Sequence, residues 1–377
     1  MTLRFLTTGE SHGRCLIGFI EGIPSGLPLA EEDLNGDLKR RMAGYGRGGR
    51  MKIESDQAIL LSGVFRGKTT GAPIAVMIEN KDWQLQREDK LPPINFPRPG
   101  HADLAGLLKY DQTDIRAISE RASARETAAR VALGAIAKKF LAQFGVDILG
   151  IVTEIGGIVS RPPSLSIRQL RSQVESSPLR FPSPQEEKAV MELIDRCKEE
   201  GDSLGGAFLV IAEGVPVGLG SHVQWDNRLD AALAQAIISI QAIKAVEIGE
   251  GLENSRRKGS EAHDQIGYKE GRFFRHSNRA GGTEGGISNG EPVLVTGYMK
   301  PISSIRKPMA SVDMATKEPG KSHYQRADVC AVPAASVVGE AMVALVLATF
   351  FQEKFAGDSM TEVTQSYKTY QEMVSRR

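Results

Sequence analysis

Three helical stretches built almost wholly of small residues constrain this chain more than anything else in it. Asp114 to Phe144 carries Ala128, Ala129, Val131, Ala132, Ala135 and Ile136. Leu229 to Val246 carries Ala231, Ala232, Ala234, Ala236, Ile237, Ile240 and Ala242, and Pro333 to Phe355 carries Ala334, Ala335, Val337, Val338, Ala341 and Ala344. A helix on a surface shows one apolar stripe, whereas a helix that is small and apolar nearly all round must be covered on every side. β-rich segments flank all three: Leu3–Thr8, Leu16–Ile20, Ile59–Phe65, Ile74–Ile78, Val146–Val159, Gly205–Ala212 and Pro292–Tyr298. The strand–helix alternation of a doubly wound parallel sheet is absent. The pattern predicts an α+β fold, a β-α-β sandwich with central buried helices between antiparallel sheets.

Other segments fit around that frame. Leu29 to about Arg41 is expected to be helical, with Glu31, Glu32 and Asp33 favourably placed in its first turn. Residues around 160–203 are polar and proline-punctuated and read as a peripheral insertion. Gly249 to Ala280 reads as a long loop, and the polar segment from about 356 as a frayed tail. The whole, 1–377, reads as one domain.

Charge argues against two classes of bulk partner. Lys and Arg number 47 against 46 Asp and Glu, so no global field favours nucleic acid or a membrane surface. The greasiest run, Ala341 to Phe351, is too short to cross a bilayer, and no longer run is expected to span one. The N-terminus lacks the pattern of a signal peptide. Cys15, Cys197 and Cys330 lie far apart without metal-ligand spacing, which fits a reducing cytoplasm and no metal site.

Against this neutral background the cations are concentrated. Lys39, Arg40 and Arg41 precede a glycine–arginine loop from Gly44 to Lys52. Glycine lets backbone N–H groups turn toward an anion, and the arginine fork matches phosphate or carboxylate. A small phosphorylated substrate, a nucleic-acid backbone and a solvated loop all remain open readings; a Walker loop does not, because no Gly-Lys-Ser/Thr follows. Arg121 and Arg125 are spaced i, i+4 and would share a face of a buried helix, needing either a ligand anion or Glu120 and Glu126. Two histidines sit on constrained turns: His12 within Gly9–Gly13, and His101 at the end of a proline-stiffened approach, Arg98 to Asp103. Imidazole held this way suits proton transfer. The glycine-rich run Gly281 to Gly290 suggests close backbone approach or a hairpin. Lys300, Ser303 and Ser304 offer a cation and two hydroxyls to a phosphate, and Asp328 beside Arg326 is an ion pair or a proton-steering carboxylate.

Gly9 to Pro24, Glu120 to Ile136 and Arg326 to Ala335 resemble, in order, three signatures of the chorismate synthase family. The Gly44–Lys52 loop, Arg98–Asp103, Gly285–Gly290 and Lys300–Pro301 also fit the family in register, so the likeness covers nearly the whole chain. Ala122 stands where the family often has serine, and Ala327 where serine or histidine is common. The resemblance implies anti-1,4-elimination of phosphate from 5-enolpyruvylshikimate 3-phosphate to give chorismate, with reduced FMN and no net redox change. By the same resemblance Ser11, Arg41, Arg47, Arg125 and Arg326 hold substrate anions. Arg121, Ala122, Ser123, Gln241, Ala242, Gly285, Lys300, Pro301, Ile302, Ser303 and Ser304, with Arg326, line the FMN. His12 is the implied general acid at the departing phosphate, His101 protonates or tunes the flavin, and Asp328 helps flavin N5 accept the ring proton. A homotetramer is implied, as is a separate flavin reductase or other reductant; NADPH enters only as a source of flavin reduction, since no dinucleotide fingerprint is present. An RNA-binding groove and a flavin-dependent oxidoreductase are the competing readings.

Overall fold

The computed structural model describes residues 2–48, 55–81, 83, 92–161, 166–325 and 327–377. Alternating burial builds the first sheet. β1 (Arg4–Thr8), β2 (Cys15–Glu21), β3 (Ala58–Leu60) and β4 (Ile74–Glu79) lie in the order β1-β2-β4-β3, with every pairing antiparallel. Leu16, Ile20, Ile74, Val76 and Ile78 point inward and are buried, while Leu6 pairs with Phe19 on the opposite, exposed face. The second sheet is also antiparallel throughout. β5 (Asp147–Ile155), β6 (Ile158–Val159), β7 (Gly206–Glu213), β8 (Ile243–Ile248) and β9 (Val293–Met299) are ordered β8-β9-β7-β5-β6.

The longer helices among the described residues are α1 (Glu31–Met42), α2 (Asp103–Tyr110), α3 (Arg116–Ala122), α4 (Thr127–Ala142), α5 (Ile167–Ser176), α6 (Pro184–Glu200), α7 (Leu229–Ile238), α8 (Val332–Phe355) and α9 (Met360–Ser375). The fold is thus mixed α and β. α4 packs on β2 and β4 of the first sheet, α8 packs on β5 and β7 of the second, and α4 and α8 pack on each other. Small residues make these approaches possible. A Cβ at Gly134 would lie 2.3 Å from the Cβ of Ala341, so α4 and α8 meet nearly backbone to backbone. Gly134→Val is therefore expected to cost about 1–3 kcal/mol of stability through overpacking, read as a lower urea midpoint. An unchanged midpoint would show that the two helices separate freely.

The centre of this core holds charge. Glu340, 1 % exposed in the middle of α8, accepts from Arg40 at 2.6 Å, Lys138 at 2.9 Å, Arg180 at 3.0 Å and the backbone N–H of Gly150 at 2.8 Å. Asp37 and Glu175 complete the network, Asp37 on Arg40 and Lys138, Glu175 on Arg40 and Arg180. Paired in this way, α1, α4 and α8 are tied through one carboxylate.

Several elements differ from the sequence expectation. The helix expected from Asp114 to Phe144 breaks at Ser123, whose backbone is extended and whose Oγ accepts from the N–H of Arg125 at 3.2 Å. A short 3-10 turn, Ala124–Glu126, then leads into α4. Arg121 and Arg125 consequently do not share a face. The helix expected from Leu229 to Val246 stops at Ile238, because the chain turns at Ala242 (φ 68°) to enter β8. The segment from Ile59 to Phe65 is interrupted at Gly63 (φ 81°). The long loop of 249–280 contains two single-turn helices and a hairpin, Ile266–Lys269 with Arg272–Arg275. Positive φ at Glu270 and Gly271 makes the tight turn, and the Tyr268 and Phe273 rings face each other at 4.9 Å across the strands.

The end expected to fray is α9. Ser359 and Glu362 form its capping box, and Tyr367 packs edge-on at 5.3 Å from Phe144 and 5.2 Å from Phe355. α8 corrects the membrane reading on length: it begins at Val332 rather than Ala341 and, at 24 residues, is long and apolar enough to cross a bilayer. Of its most apolar window, 83 % is buried against the rest of the fold, which is the environment of a core helix. In the 160–203 region, Ile167, Leu170 and Val174 close on Leu149 and Ile151 of β5. Leu179, Phe181, Val190 and Ile194 close on Val152, Ile155, Cys330 and Val332.

Candidate active site

The break at Ser123 opens a cavity of about 430 Å³ between the N-terminus of α8, the α3–α4 junction, the turn that leads into β8 and the loop after β9. Among the described residues its wall carries five cations, Arg41, Arg47, Arg98, Arg125 and Lys300, against one carboxylate, Asp328. In a chain whose acids and bases nearly cancel, such a concentration is specific to anion recognition.

Carboxylates behind the wall hold the arginines in place. Asp56 accepts from Arg125 Nη1 at 2.6 Å and from Arg41 Nη1 at 3.4 Å. Arg125 Nε donates to Asn80 Oδ1 at 2.9 Å, and the Asn80 amide donates to the carbonyls of Glu10 at 3.1 Å and Gly13 at 2.8 Å. Asn80 therefore links the histidine turn to the arginine wall. Arg41 also donates to Thr127 Oγ1 and Ala124 O, each at 3.0 Å. Burial lowers the Arg41 guanidinium to about 10; Asp56 opposes that shift, and Arg125 and Arg47 add to it. It remains a cation at neutral pH. Asp328 accepts from the N–H of Gly48 at 2.6 Å and pairs with Arg47 at 2.8 Å.

Each histidine has its own buried acid. Glu120 on α3 takes His12 Nδ1 on Oε1 and the His12 backbone N–H on Oε2, both at 2.7 Å, while its carbonyl accepts from the N–H of Ser11 at 3.1 Å. His101 lines the cavity with Nδ1 at 2.5 Å from Asp103 Oδ1. On the far wall Lys300 donates to the carbonyl of Gly100, and Ser304 Oγ donates to Gln325 O at 2.8 Å. Ser119 Oγ and Gln241 Oε1, both buried in the wall, have no hydrogen-bond partner among the described residues.

Most residues singled out by sequence converge here. Arg41, Arg47, Arg125, His101 and Asp328 line the cavity, as do Ala122, Ser123, Gln241, Ala242, Lys300, Ile302, Ser303 and Ser304. Neither Ser11 nor His12 lines the cavity: Ser11 Oγ accepts from Ser123 Oγ at 3.3 Å, one hydrogen bond behind the wall, and His12 follows it in the turn. Arg121 does not line the cavity: it donates to the carbonyls of Thr7 at 2.7 Å and Gly9 at 3.1 Å, bracing the end of β1. Pro301 is absent from the wall, and Gly285 lies in the Thr283–Ser288 hairpin, beside His222. Arg326 lies outside the described residues. Sequence reasoning missed Asp56, Asn80, Ser119 and Asp103, and considered Glu120 only as one alternative partner for Arg121 and Arg125, not as the partner of His12. Only Asp103, two residues from His101, had a local signal.

The chorismate synthase sequence profile matches residues 3–351. The chain belongs to the chorismate synthase family. Chorismate synthase of Aquifex aeolicus (strain VF5) is 53 % identical over 388 residues, covering 98 % of this chain and 97 % of that protein. Chorismate synthase of Geobacter sulfurreducens (strain ATCC 51573 / DSM 12127 / PCA) is 51 % identical over 390 residues and covers 99 % of both chains. A crystal structure of chorismate synthase superposes with a TM-score of 0.80 at 46 % identity, covering all of this chain and 99 % of the other. Chorismate synthase is a carbon–oxygen lyase, and a cation-walled cavity flanked by two acid-anchored histidines suits cleavage of a C–O bond to an anionic leaving group.

Proposed function

We propose that this cavity performs the anti-1,4-elimination of phosphate from 5-enolpyruvylshikimate 3-phosphate to give chorismate, with reduced FMN bound and no net redox change. The observation that carries the reading is five cations against one carboxylate on a single wall. The substrate brings one phosphate and two carboxylates, which Arg41, Arg47, Arg125 and Arg326 hold, joined by Ser11. In the reaction the C–O bond to phosphate breaks and the ring gives up a proton. His12 supplies a proton at the departing phosphate, Asp328 steers the ring proton, and His101 tunes protonation at the flavin side.

The wall fits a flavin. Ala334, Ala335, Val338 and Ile240 give it an apolar stretch for a flat ring, and the unpaired Ser119 Oγ and Gln241 Oε1 await polar partners. Ala122, Ser123, Gln241, Ala242 and Lys300 to Ser304 would hold the group, with Arg121, Gly285 and Arg326 assigned by resemblance. Reduced FMN, when bound, lends electron density that eases loss of phosphate. Exclusion of water by the buried wall strengthens each charge interaction inside it.

The same reading places the enzyme in the cytoplasm as a homotetramer, supplied by a separate flavin reductase or other reductant, with NADPH only as a source of electrons. Its architecture is a single domain, 1–377, in β-α-β layers with a peripheral insertion at 160–203. An RNA groove fits less well, because Arg41 and Arg125 are 5 % and 7 % exposed and would not reach a polymer backbone.

The test is anaerobic. The protein is mixed with chemically reduced FMN and 5-enolpyruvylshikimate 3-phosphate, without NADPH, and phosphate and chorismate are followed. Equal release of both, with the flavin still reduced, is expected. No product from folded protein would overturn the reading, and net NADPH consumption coupled to product would favour an oxidoreductase.

A further inference from the structure

His101 reaches the cavity from a loop stiffened by Pro97 and Pro99. Asp103 opens α2 directly after it and is 0 % exposed. Four N–H groups converge on its carboxylate. Oδ2 accepts from the Arg98 backbone at 3.0 Å and from Arg98 Nε at 2.8 Å. Oδ1 accepts from Arg98 Nη2 at 2.9 Å and meets His101 Nδ1 at 2.5 Å. Burial by itself would raise the Asp103 carboxyl, but the bonds from His101 and Arg98 outweigh it and hold the group well below the usual carboxylate range.

An ionised carboxylate has no proton to give, so the hydrogen in the His101–Asp103 contact belongs to Nδ1. Arg98 Nη2 also lies 3.1 Å from Nδ1 and 3.5 Å from Nε2, but a guanidinium only donates; its shortest bond, 2.9 Å, goes to Oδ1, where the Nδ1–H also points. The lone pair of the neutral ring is then left on Nε2. Arg98 anchors the arrangement across the cavity. Its Nη1 donates to Gln325 Oε1 at 2.7 Å, and Gln325 is tied through its backbone to Ser304. A helix-capping acid paired only with Arg98 would not explain the His101 contact.

We infer that Asp103 is the positioning residue for His101: it fixes the proton on Nδ1 and presents Nε2 to the cavity. Its kinetic consequence rests on the elimination reading above; the tautomer does not.

Protein labelled with ¹⁵N-histidine reads the tautomer directly, the His101 signals being assigned by their loss in His101→Asn. The expected wild-type pattern is a protonated Nδ1 and an unprotonated Nε2 on the neutral ring. Asp103→Asn is expected to lose that pattern and to lower kcat by roughly 10²–10⁴-fold with KM unchanged, because the amide can face the ring as donor or acceptor. Asp103→Glu is expected to recover part of kcat. A wild-type His101 protonated on Nε2 would overturn the assignment, even if Asp103→Asn failed to fold; so would wild-type kcat in a folded Asp103→Asn. The expected tautomer in a wild-type protein that forms no chorismate would sink the elimination reading alone. Turnover with the opposite tautomer would sink this inference alone.

Discussion

His12→Ala and His101→Ala are each expected to lower turnover by roughly 10²–10⁴-fold, the usual contribution of a positioned acid or base, while the protein stays folded. The surroundings explain why the two effects separate. Removing the His12 ring leaves Glu120 Oε2 still accepting the backbone N–H of residue 12. Removing the His101 ring leaves Asp103 with three N–H donors from Arg98. Neither buried carboxylate is stranded, so the loss falls on chemistry. Single-turnover release of phosphate under anaerobic conditions measures it, beside a urea midpoint for the fold. A variant releasing phosphate at the wild-type rate would remove that histidine from the mechanism.

Glu340→Ala has the opposite profile and acts on stability first. It strands Arg40, Lys138 and Arg180 in the core with only Asp37 and Glu175 to balance them. Removing one partner of a buried ionic network typically costs about 3–5 kcal/mol. Urea unfolding of the purified protein measures the loss, and a cost near zero would mean that water already solvates the network. The same group predicts a pH dependence. Burial alone would raise the Glu340 carboxyl; Lys138, Arg40 and Arg180 overcome that and hold it well below its unfolded value of 4.5. The folded state thus binds fewer protons than the unfolded chain in that window. Its contribution is complete above pH 4.5 and is lost as pH falls through the folded value. In Glu340→Gln this part of the acid sensitivity disappears, although the amide still accepts from Gly150.

Much of this was legible in the residues. The small-residue helices and the alternating strands marked buried layers, because burial periodicity is a local property. The cavity's cations and histidines were legible too, since glycine and proline punctuate the turns that carry them. What escaped was long-range pairing. Asp56 lies 69 residues from Arg125, and Glu340 lies 300 residues from Arg40, so no local pattern joins either pair. The break at Ser123 was hidden for a different reason. The alanines, arginines and glutamates around it favour helix, and the serine side chain that caps Arg125 marks where the chain departs from it. Arg121, read as a cavity residue, was turned outward by that single event. The hairpin at 266–275 and α9 were obscured by polar composition, where a tight turn and a capping box carry the signal instead.

The walls of the cavity are drawn from Arg41 to Val338, nearly the whole span of the polypeptide. During synthesis on a ribosome, the arginines and both histidines emerge long before α8, which supplies the last wall and the carboxylate that neutralises the interior cations. Contacts between such distant segments form late in folding. Catalytic competence is therefore acquired in one step at the end, and a prematurely terminated chain is inert rather than partly active or promiscuous.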